Sequence, residues 1–368
     1  MRLIFTGGGT AGHITPAIAV ADYFMANDKN TKILFIGREN GAENNLITNK
    51  RYDIKYINVG GLPRKISKKA FLEIKNALKA KRVAKEIIKE FMPDAVIGTG
   101  GYVAWPVVRA AQELLITTII HESNITPGLA TRLLSKRCNS VFVNRSTTAK
   151  HLPKKASVLE VGIPCIKASD IKSRNDARKA LGLHNEDIFI LSFGGSGGSD
   201  TMNKAIIQLM EEASTEKKRI RHLHATGIRY FEVLKENHPK LAKGANGCKI
   251  TPFISDMEKI MPAADIVISR AGALTLAELS LHGIPAILIP SPNVTGNHQY
   301  KNALEYKNVG AAILINENEL TPDLLKSAVY DLISSRAKRK ELSLRIKKLH
   351  INGSCERIYK CITSYAKK

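Results

Sequence analysis

His13 stands directly behind a glycine-rich run, Gly7-Gly8-Gly9-Thr10-Ala11-Gly12, which itself follows the apolar residues 3–6. His121 and Glu122 follow a second apolar run at 118–120. A histidine or carboxylate at the carboxyl end of a strand is a candidate general base, placed to take the proton of a hydroxyl as it attacks an electrophile. At the start of a helix, His13 would also feel the positive dipole end, which disfavours the imidazolium and keeps the ring a neutral base at about pH 7.

The other half of the chain holds groups suited to a departing anion. Residues 188–193 run into Gly194-Gly195-Ser196-Gly197-Gly198-Ser199, and residues 266–268 run into Ser269-Arg270-Ala271-Gly272-Ala273-Leu274-Thr275. Glycine lets backbone approach a ligand, and a helix starting at Thr275 would offer unpaired N–H groups to a diphosphate. Glu278, one turn further in, is placed to grip ribose hydroxyls, and the polar loop 291–299, with His298 and Gln299, ends another strand.

Each of these residues also has a plainer reading. Thr275 and Glu278 suit an N-cap and a dipole-complementing acid. His121 suits a buried, hydrogen-bonded histidine. As a metal site the His121-Glu122 pair lacks a third ligand, its side chains alternate faces on extended chain, and no D-x-D pair advertises a cation on a diphosphate. Residues 7–12 also match G-x-G-x-x-G, with Glu39 or Arg38 placed for a ribose hydroxyl or a 2′-phosphate. A nicotinamide-dependent oxidoreductase therefore stays open on that motif, although a single dinucleotide-binding domain does not need the second glycine turn.

The elements that must position these groups alternate along the chain. Thirteen strand-like runs, at 3–6, 33–36, 54–59, 95–97, 118–120, 141–143, 158–161, 188–193, 223–225, 250–253, 266–268, 286–289 and 312–315, are separated by amphipathic segments such as 201–213 and 322–334. That alternation predicts an α/β chain with parallel sheets and right-handed crossovers. A length of 368 residues at 44% hydrophobic content supplies two cores. The break is expected near Gly162-Ile163-Pro164, giving a first domain over 1–161, a hinge at 162–170, a second domain over 171–345 and a helical tail over 346–368.

A net charge of +23 points to an anionic partner, whether nucleic acid, a negative membrane surface or a phosphorylated substrate. Aromatics are only 6%, with no zinc-finger spacing or RNA-binding aromatic signature, so nucleic acid ranks last. Residues 64–92 pattern as a basic amphipathic helix with Arg64, Lys65, Lys68, Lys69, Lys75 and Lys79 beside Phe71, Ile74 and Leu78, suited to an anionic bilayer or to a solvated face. No apolar run approaches the roughly 18–20 residues that span a bilayer. The five scattered cysteines suit reduced thiols in a cytoplasm.

GGGTAGHITPA near the start, GTGGYVAWP at 98–106, HESNITPGLAT at 121–131, FGGSGGS at 193–199, SRAGALTLAEL at 269–279 and PSPNVTGNHQYKNA at 290–303 together resemble the MurG family of bacterial cell-wall glycosyltransferases. The resemblance covers nearly the whole chain. It implies a GT-B fold: two Rossmann-like domains with parallel sheets facing a cleft, and a C-terminal helix crossing back to the first domain. It implies inverting transfer of N-acetylglucosamine from UDP-N-acetylglucosamine to the 4-hydroxyl of the muramyl sugar of lipid I, giving lipid II. It further implies no cofactor, no metal site and no nucleic acid partner, with action at the cytoplasmic face of the anionic inner membrane as a peripheral protein.

Carried over by position, the resemblance places Thr10, Ala11, Gly12, Asn124, Ser196, Ile254, Ala273, Leu274, Thr275, Glu278 and Gln299 at the donor. The base is His13 or Glu122, with Tyr102 and His121 orienting the acceptor. The Gly272–Thr275 turn and Ser196, helped by Arg270 or His298, would steady the leaving diphosphate. Family members often carry an arginine after the hinge turn, where this chain has Lys167 as a point charge without the bidentate fork. A basic membrane scaffold that has lost catalysis is the alternative of another class, against which Glu278, Gln299 and His13 argue.

Overall fold

The computed structural model describes the chain except residues 10, 40, 42–46, 48–51, 62–67, 165–172, 214–218 and 367–368, and the side chains of Ala11, Lys69 and Ala366. Two compact units emerge, Met1–Cys165 with Ile351–Lys368, and Ile166–His350. Helix Arg336–Lys347 runs through the boundary expected at residue 345, and residues 346–350 stay with the second unit. The tail expected over 346–368 takes in the end of that helix and one further helix, Ser354–Ala366. The two helices are separated near Gly353, whose φ of +71° suits a residue without a side chain.

The first unit holds one parallel sheet of seven strands: β1 (Arg2–Thr6), β2 (Lys32–Arg38), β3 (Asp53–Ile57), β4 (Ala95–Gly98), β5 (Thr117–Glu122), β6 (Ser140–Val143) and β7 (Val158–Glu160). Their spatial order is β3-β2-β1-β4-β5-β6-β7. Central strands are buried almost throughout, whereas the edges β3 and β7 are partly exposed, at Asp53 and Tyr56 and at Leu159 and Glu160. Leu3 and Phe5 face a core shared with Ile14, Phe24, Ile358 and Ile362, while Ile4 faces a second core with Ala84, Ile88 and Val107. That alternation is why the central strands read as continuous apolar runs: both faces are covered by helices. Each buried Leu, Ile or Phe contributes about 1.5–3 kcal/mol.

The second unit repeats the plan with β8 (Ile188–Phe193), β9 (Ile220–Ala225), β10 (Cys248–Thr251), β11 (Ile266–Ser269), β12 (Ala286–Leu288) and β13 (Ile313–Leu314). Their order is β10-β9-β8-β11-β12-β13, all parallel. In both sheets the strand order reverses once near the middle, between β1 and β4 and between β8 and β11. Crevices at the carboxyl ends of such reversals are where open α/β sheets bind ligands. The two glycine runs leave β1 and β8, one strand of each reversal. Among the described residues no helix is long and apolar enough to cross a membrane.

Candidate active site

In the first unit the glycines are required by close packing of the loops after β1 and β4. A Cβ on Gly7 would lie 2.3 Å from Thr99 Oγ1, and one on Gly101 would lie 2.1 Å from the Gly8 carbonyl oxygen. Gly101 also holds φ at +78°. Any side chain there forces the loops apart. Thr99 donates its backbone N–H to the Thr6 carbonyl at 2.9 Å, locking the loop base.

His13 sits in the first turn of the helix Ala11–Asn27, half-buried. Its Nδ1 lies 3.0 Å from the Gly8 carbonyl oxygen. A carbonyl only accepts, so Nδ1 carries the hydrogen and Nε2 is the basic nitrogen. The ring packs over Gly100, where a Cβ would come within 2.8 Å of Cδ2. The Tyr102 ring lies over Gly9 and Gly61, and its hydroxyl accepts from Arg38 Nη1 at 3.2 Å. Thr10 lies outside the described residues, as does the Ala11 side chain. Gly12 is half-buried in the helix start.

Glu122 and His121 end β5 rather than following it. Glu122 is buried and saturated. Its Oε1 accepts from the backbone N–H and side-chain amide of Asn124 at 3.0 and 3.2 Å, and its Oε2 accepts from Gly128 N–H at 3.0 Å and the Thr131 hydroxyl at 2.7 Å. His121, expected beside the acceptor, is instead buried. Its Nε2 donates to the Gly162 carbonyl at 2.8 Å, and the Ser123 hydroxyl lies 3.4 Å from Nδ1. Desolvation holds its pKa below the usual histidine value, partly opposed by that carbonyl bond. The ring is a neutral strut between β5 and Gly162.

In the second unit the helix begins at Ala273, not Thr275, and its N-cap is Gly272 with no capping side-chain bond. Thr275 is therefore no N-cap. Among the described residues the first N–H groups of the helix have no side-chain acceptor, as an anion site needs. Ala273, Leu274 and Thr275 are half-buried around that end. Glu278 makes no hydrogen bond or ion pair among the described residues. Although the residue as a whole is half-buried, its carboxyl is sheltered. Desolvation first, and the charge of Glu258 second, push its pKa up to about 7.

The β8 loop is open on one side: nothing lies within 4 Å of a Cβ placed on Gly195 or Gly197, and Ser196 between them is exposed. Its other side is tight. A Cβ on Gly198 would meet the Thr226 carbonyl at 2.2 Å, and one on Gly227 would meet Gly198 Cα at 2.5 Å. Ile254 is buried in the core with Phe193 and Ala225, which end β8 and β9. Gln299 accepts the Ser291 N–H at 2.9 Å through Oε1, leaving its amide as donor. His298 Nδ1 donates to the Thr295 carbonyl at 2.9 Å. Lys167 lies outside the described residues.

Two features escaped the motifs. Beneath the β8 loop a buried chain of bonds runs from His222 Nε2 to Ser192 Oγ (2.7 Å) and from Ser192 Oγ to His224 Nδ1 (2.9 Å). It continues from His224 Nε2 to Asn203 Oδ1 (3.0 Å), and Asn203 Nδ2 donates to the Thr226 carbonyl (3.0 Å). Burial depresses His222 to about 3 and His224 to about 4, so both are neutral. Histidines at i and i+2 on a buried strand share a face, which was the available signal. The second is Glu317, which pairs with Arg270. An arginine beside a glycine turn at a strand end needs an acid if it is sheltered, yet nothing local points to Glu317.

Residues 3–143 match the N-terminal domain of glycosyltransferase family 28, and residues 189–353 match its C-terminal domain. The chain is 37% identical over 368 residues to the UDP-N-acetylglucosamine--N-acetylmuramyl-(pentapeptide) pyrophosphoryl-undecaprenol N-acetylglucosamine transferase of Acetivibrio thermocellus, covering 100% of this chain and 99% of that one. The protein of the same name from Desulforamulus reducens is 38% identical, with 98% of each covered. The crystal structure of Acinetobacter baumannii MurG superposes with a TM-score of 0.76 at 26% identity over 99% of each chain. The two Rossmann-like units are those of the GT-B fold. Identity of this extent, with both family 28 domains matched in order, means that the chain belongs to the family of the UDP-N-acetylglucosamine--N-acetylmuramyl-(pentapeptide) pyrophosphoryl-undecaprenol N-acetylglucosamine transferases.

Proposed function

We propose that this chain transfers N-acetylglucosamine from UDP-N-acetylglucosamine to the 4-hydroxyl of the muramyl sugar of undecaprenyl-diphosphate-linked lipid I, with inversion, forming lipid II. The observation that carries the donor half is the uncapped helix start at Gly272 with the unpartnered Glu278 carboxylate one turn in. Diphosphate oxygens satisfy the orphan N–H groups, and ribose hydroxyls satisfy the carboxylate. Ser196 on the open side of the β8 loop, Gln299 with its amide donor, Ile254, Ala273, Leu274 and Thr275 complete that site. Thr10, Ala11, Gly12 and Asn124 belong to the same reading on the first unit.

The base is His13. Its Nε2 takes the hydroxyl proton as that oxygen attacks the anomeric carbon, the bond to the diphosphate oxygen breaks, and UDP leaves with the electron pair. Direct displacement inverts the centre. Glu122 is the weaker candidate because all four of its hydrogen bonds come from donors that favour its ionised, acceptor-only form. Its part is to shape the loop carrying Asn124. Tyr102 serves the acceptor, and His121 acts only through the backbone it braces.

Helix Lys68–Phe91 exposes Phe71, Leu72, Ile74 and Leu78 alongside Lys68, Lys75 and Lys79. An apolar stripe rimmed by cations supports peripheral attachment to an anionic leaflet, at the cytoplasmic face. The decisive experiment incubates the whole chain with UDP-N-acetylglucosamine and a lipid I analogue. The expected result is stoichiometric UDP and a disaccharide product by mass spectrometry; UDP release without that product, or none at all, rejects the reading.

A further inference from the structure

Glu317 follows β13, far in sequence from every motif above, yet its carboxylate is the common acceptor at the reversal point of the second sheet. Arg270 Nη2 donates to Glu317 Oε1 and to Ser199 Oγ, the latter at 2.8 Å. Ser199 Oγ in turn donates to Glu317 Oε1 at 3.0 Å and accepts the Met202 N–H at 3.3 Å in the first turn of helix Asp200–Ala213. Arg270 Nη1 donates to the Ile289 carbonyl at 3.1 Å. The ion pair is sheltered, with side chains 11% and 12% exposed.

Four strand ends are thereby tied to one carboxylate: those of β8, β11, β12 and β13. Ser199 directly follows the glycine turn, and Arg270 stands two residues before Gly272. These are the two turns that face the diphosphate in the reading above, and the guanidinium is spent on holding them. We infer that Glu317 is a positioning residue for the nucleotide-sugar donor, fixing Arg270 and Ser199 and so the register of both turns. The inference rests on the second unit being the donor site.

The test is UDP affinity by titration calorimetry, with donor KM, acceptor KM and kcat, for full-length Glu317→Gln, Glu317→Asp, Ser199→Ala and Glu278→Ala. Glu317→Gln is expected to raise UDP Kd and donor KM by roughly 10- to 100-fold, the size that a misplacement of order 1 Å produces, with acceptor KM unchanged. Glu317→Asp should recover part of that loss, and Ser199→Ala should shift Kd in the same direction by less. Wild-type UDP affinity in folded Glu317→Gln, while Glu278→Ala binds weakly, overturns the positioning role alone. Tighter UDP binding in Glu317→Gln also overturns it, since Arg270 would then be a ligand that Glu317 restrains. If Glu278→Ala leaves Kd unchanged, the donor-site reading falls and this inference with it. Should Glu317→Gln not fold, Ser199→Ala decides, because it keeps the ion pair; an unaltered Kd there overturns the proposal.

Discussion

Glu278 is held in a state that a nucleotide would change. Its carboxyl titrates at about 7 because it is desolvated and faces the charge of Glu258 with no donor to offset either. Ribose hydroxyls favour the carboxylate, so binding below that pH must first remove a proton. Donor KM should therefore rise as pH falls below about 7, approaching tenfold per unit, and Glu278→Gln should flatten the dependence. Removing the carboxylate forfeits charge-assisted bonds worth roughly 1.5–3 kcal/mol, so Glu278→Ala should raise donor KM tenfold or more. A pH-independent KM in the native chain would dismiss this account. For the fold itself, the raised pKa of Glu278 adds stability in acid, and that contribution is lost as pH rises through about 7.

His13 and Glu122 show what residue types alone disclose. Both read as bases, because a motif reports identity and position but not which lone pairs are already occupied. Glu122 is satisfied by Asn124, Gly128 and Thr131, all within ten residues, yet no spacing rule announces that arrangement. His13→Ala should lower kcat by roughly 10²–10⁴, the range of general base catalysis, and leave UDP affinity nearly intact. Glu122→Gln, which keeps the shape of the group, should cost kcat less than His13→Ala. The reverse ranking in steady-state assays would make Glu122 the base.

At the scale of elements, the thirteen strands of the described residues were legible, the central ones because a strand covered on both faces must be apolar along its length. Boundaries drifted where polarity intrudes. β9 begins at Ile220, earlier than its apolar core suggests, because His222 is buried with a partner in Ser192. Loop geometry was legible only as glycine, and the glycines differ in kind. Gly101→Ala combines a left-handed φ of +78° with a 2.1 Å clash on backbone, whereas Gly195→Ala has φ +86° and open space. The first should lose about 1–3 kcal/mol to strain and a similar amount to overpacking, the second about 1–2 kcal/mol. Thermal scans should separate them at roughly 2–4 °C per kcal/mol; equal shifts would mean that the loops after β1 and β4 do not interlock.

Helix Lys68–Phe91 belongs to the same scale. Its buried side is Ala80, Ala84, Ile87 and Ile88, and its outer side keeps Phe71, which is 76% exposed. Binding to anionic vesicles should weaken as salt rises, since exposed charges are screened over a Debye length of about 8 Å at physiological ionic strength. Replacing Lys68, Lys75 and Lys79 with Gln, or Phe71 and Leu72 with Ser, should each weaken it further. Partitioning indifferent to salt and to both sets would leave the helix a solvated face.

For the whole molecule, the order of elements foretold two units, but not where the chain changes from one to the other. Leu342 and Ile346 on helix Arg336–Lys347 are buried in the second unit, while Ile358 and Ile362 on helix Ser354–Ala366 are buried in the first; in the sequence both segments read only as helical. In the first unit the last helix meets Tyr23 and Phe24 through Tyr359, and Tyr365 Oη lies 2.7 Å from Ser140 Oγ on β6. Deleting residues 351–368 removes two fully buried isoleucines and this aromatic contact. At about 1.5–3 kcal/mol for each large apolar side chain, the loss approaches the roughly 5–15 kcal/mol that holds a domain folded. The truncated chain 1–350 should therefore lose the calorimetric transition of the first unit and all transferase activity. It should still bind UDP with near-native affinity, because Ser196, the 272–275 turn and Glu278, which the proposed function sets against the nucleotide, and the Arg270–Glu317 pair lie within Ile166–His350. Native activity and melting in that truncation would show the last helix to be an accessory to the first unit, and loss of UDP binding would show that the donor site depends on more than the second unit.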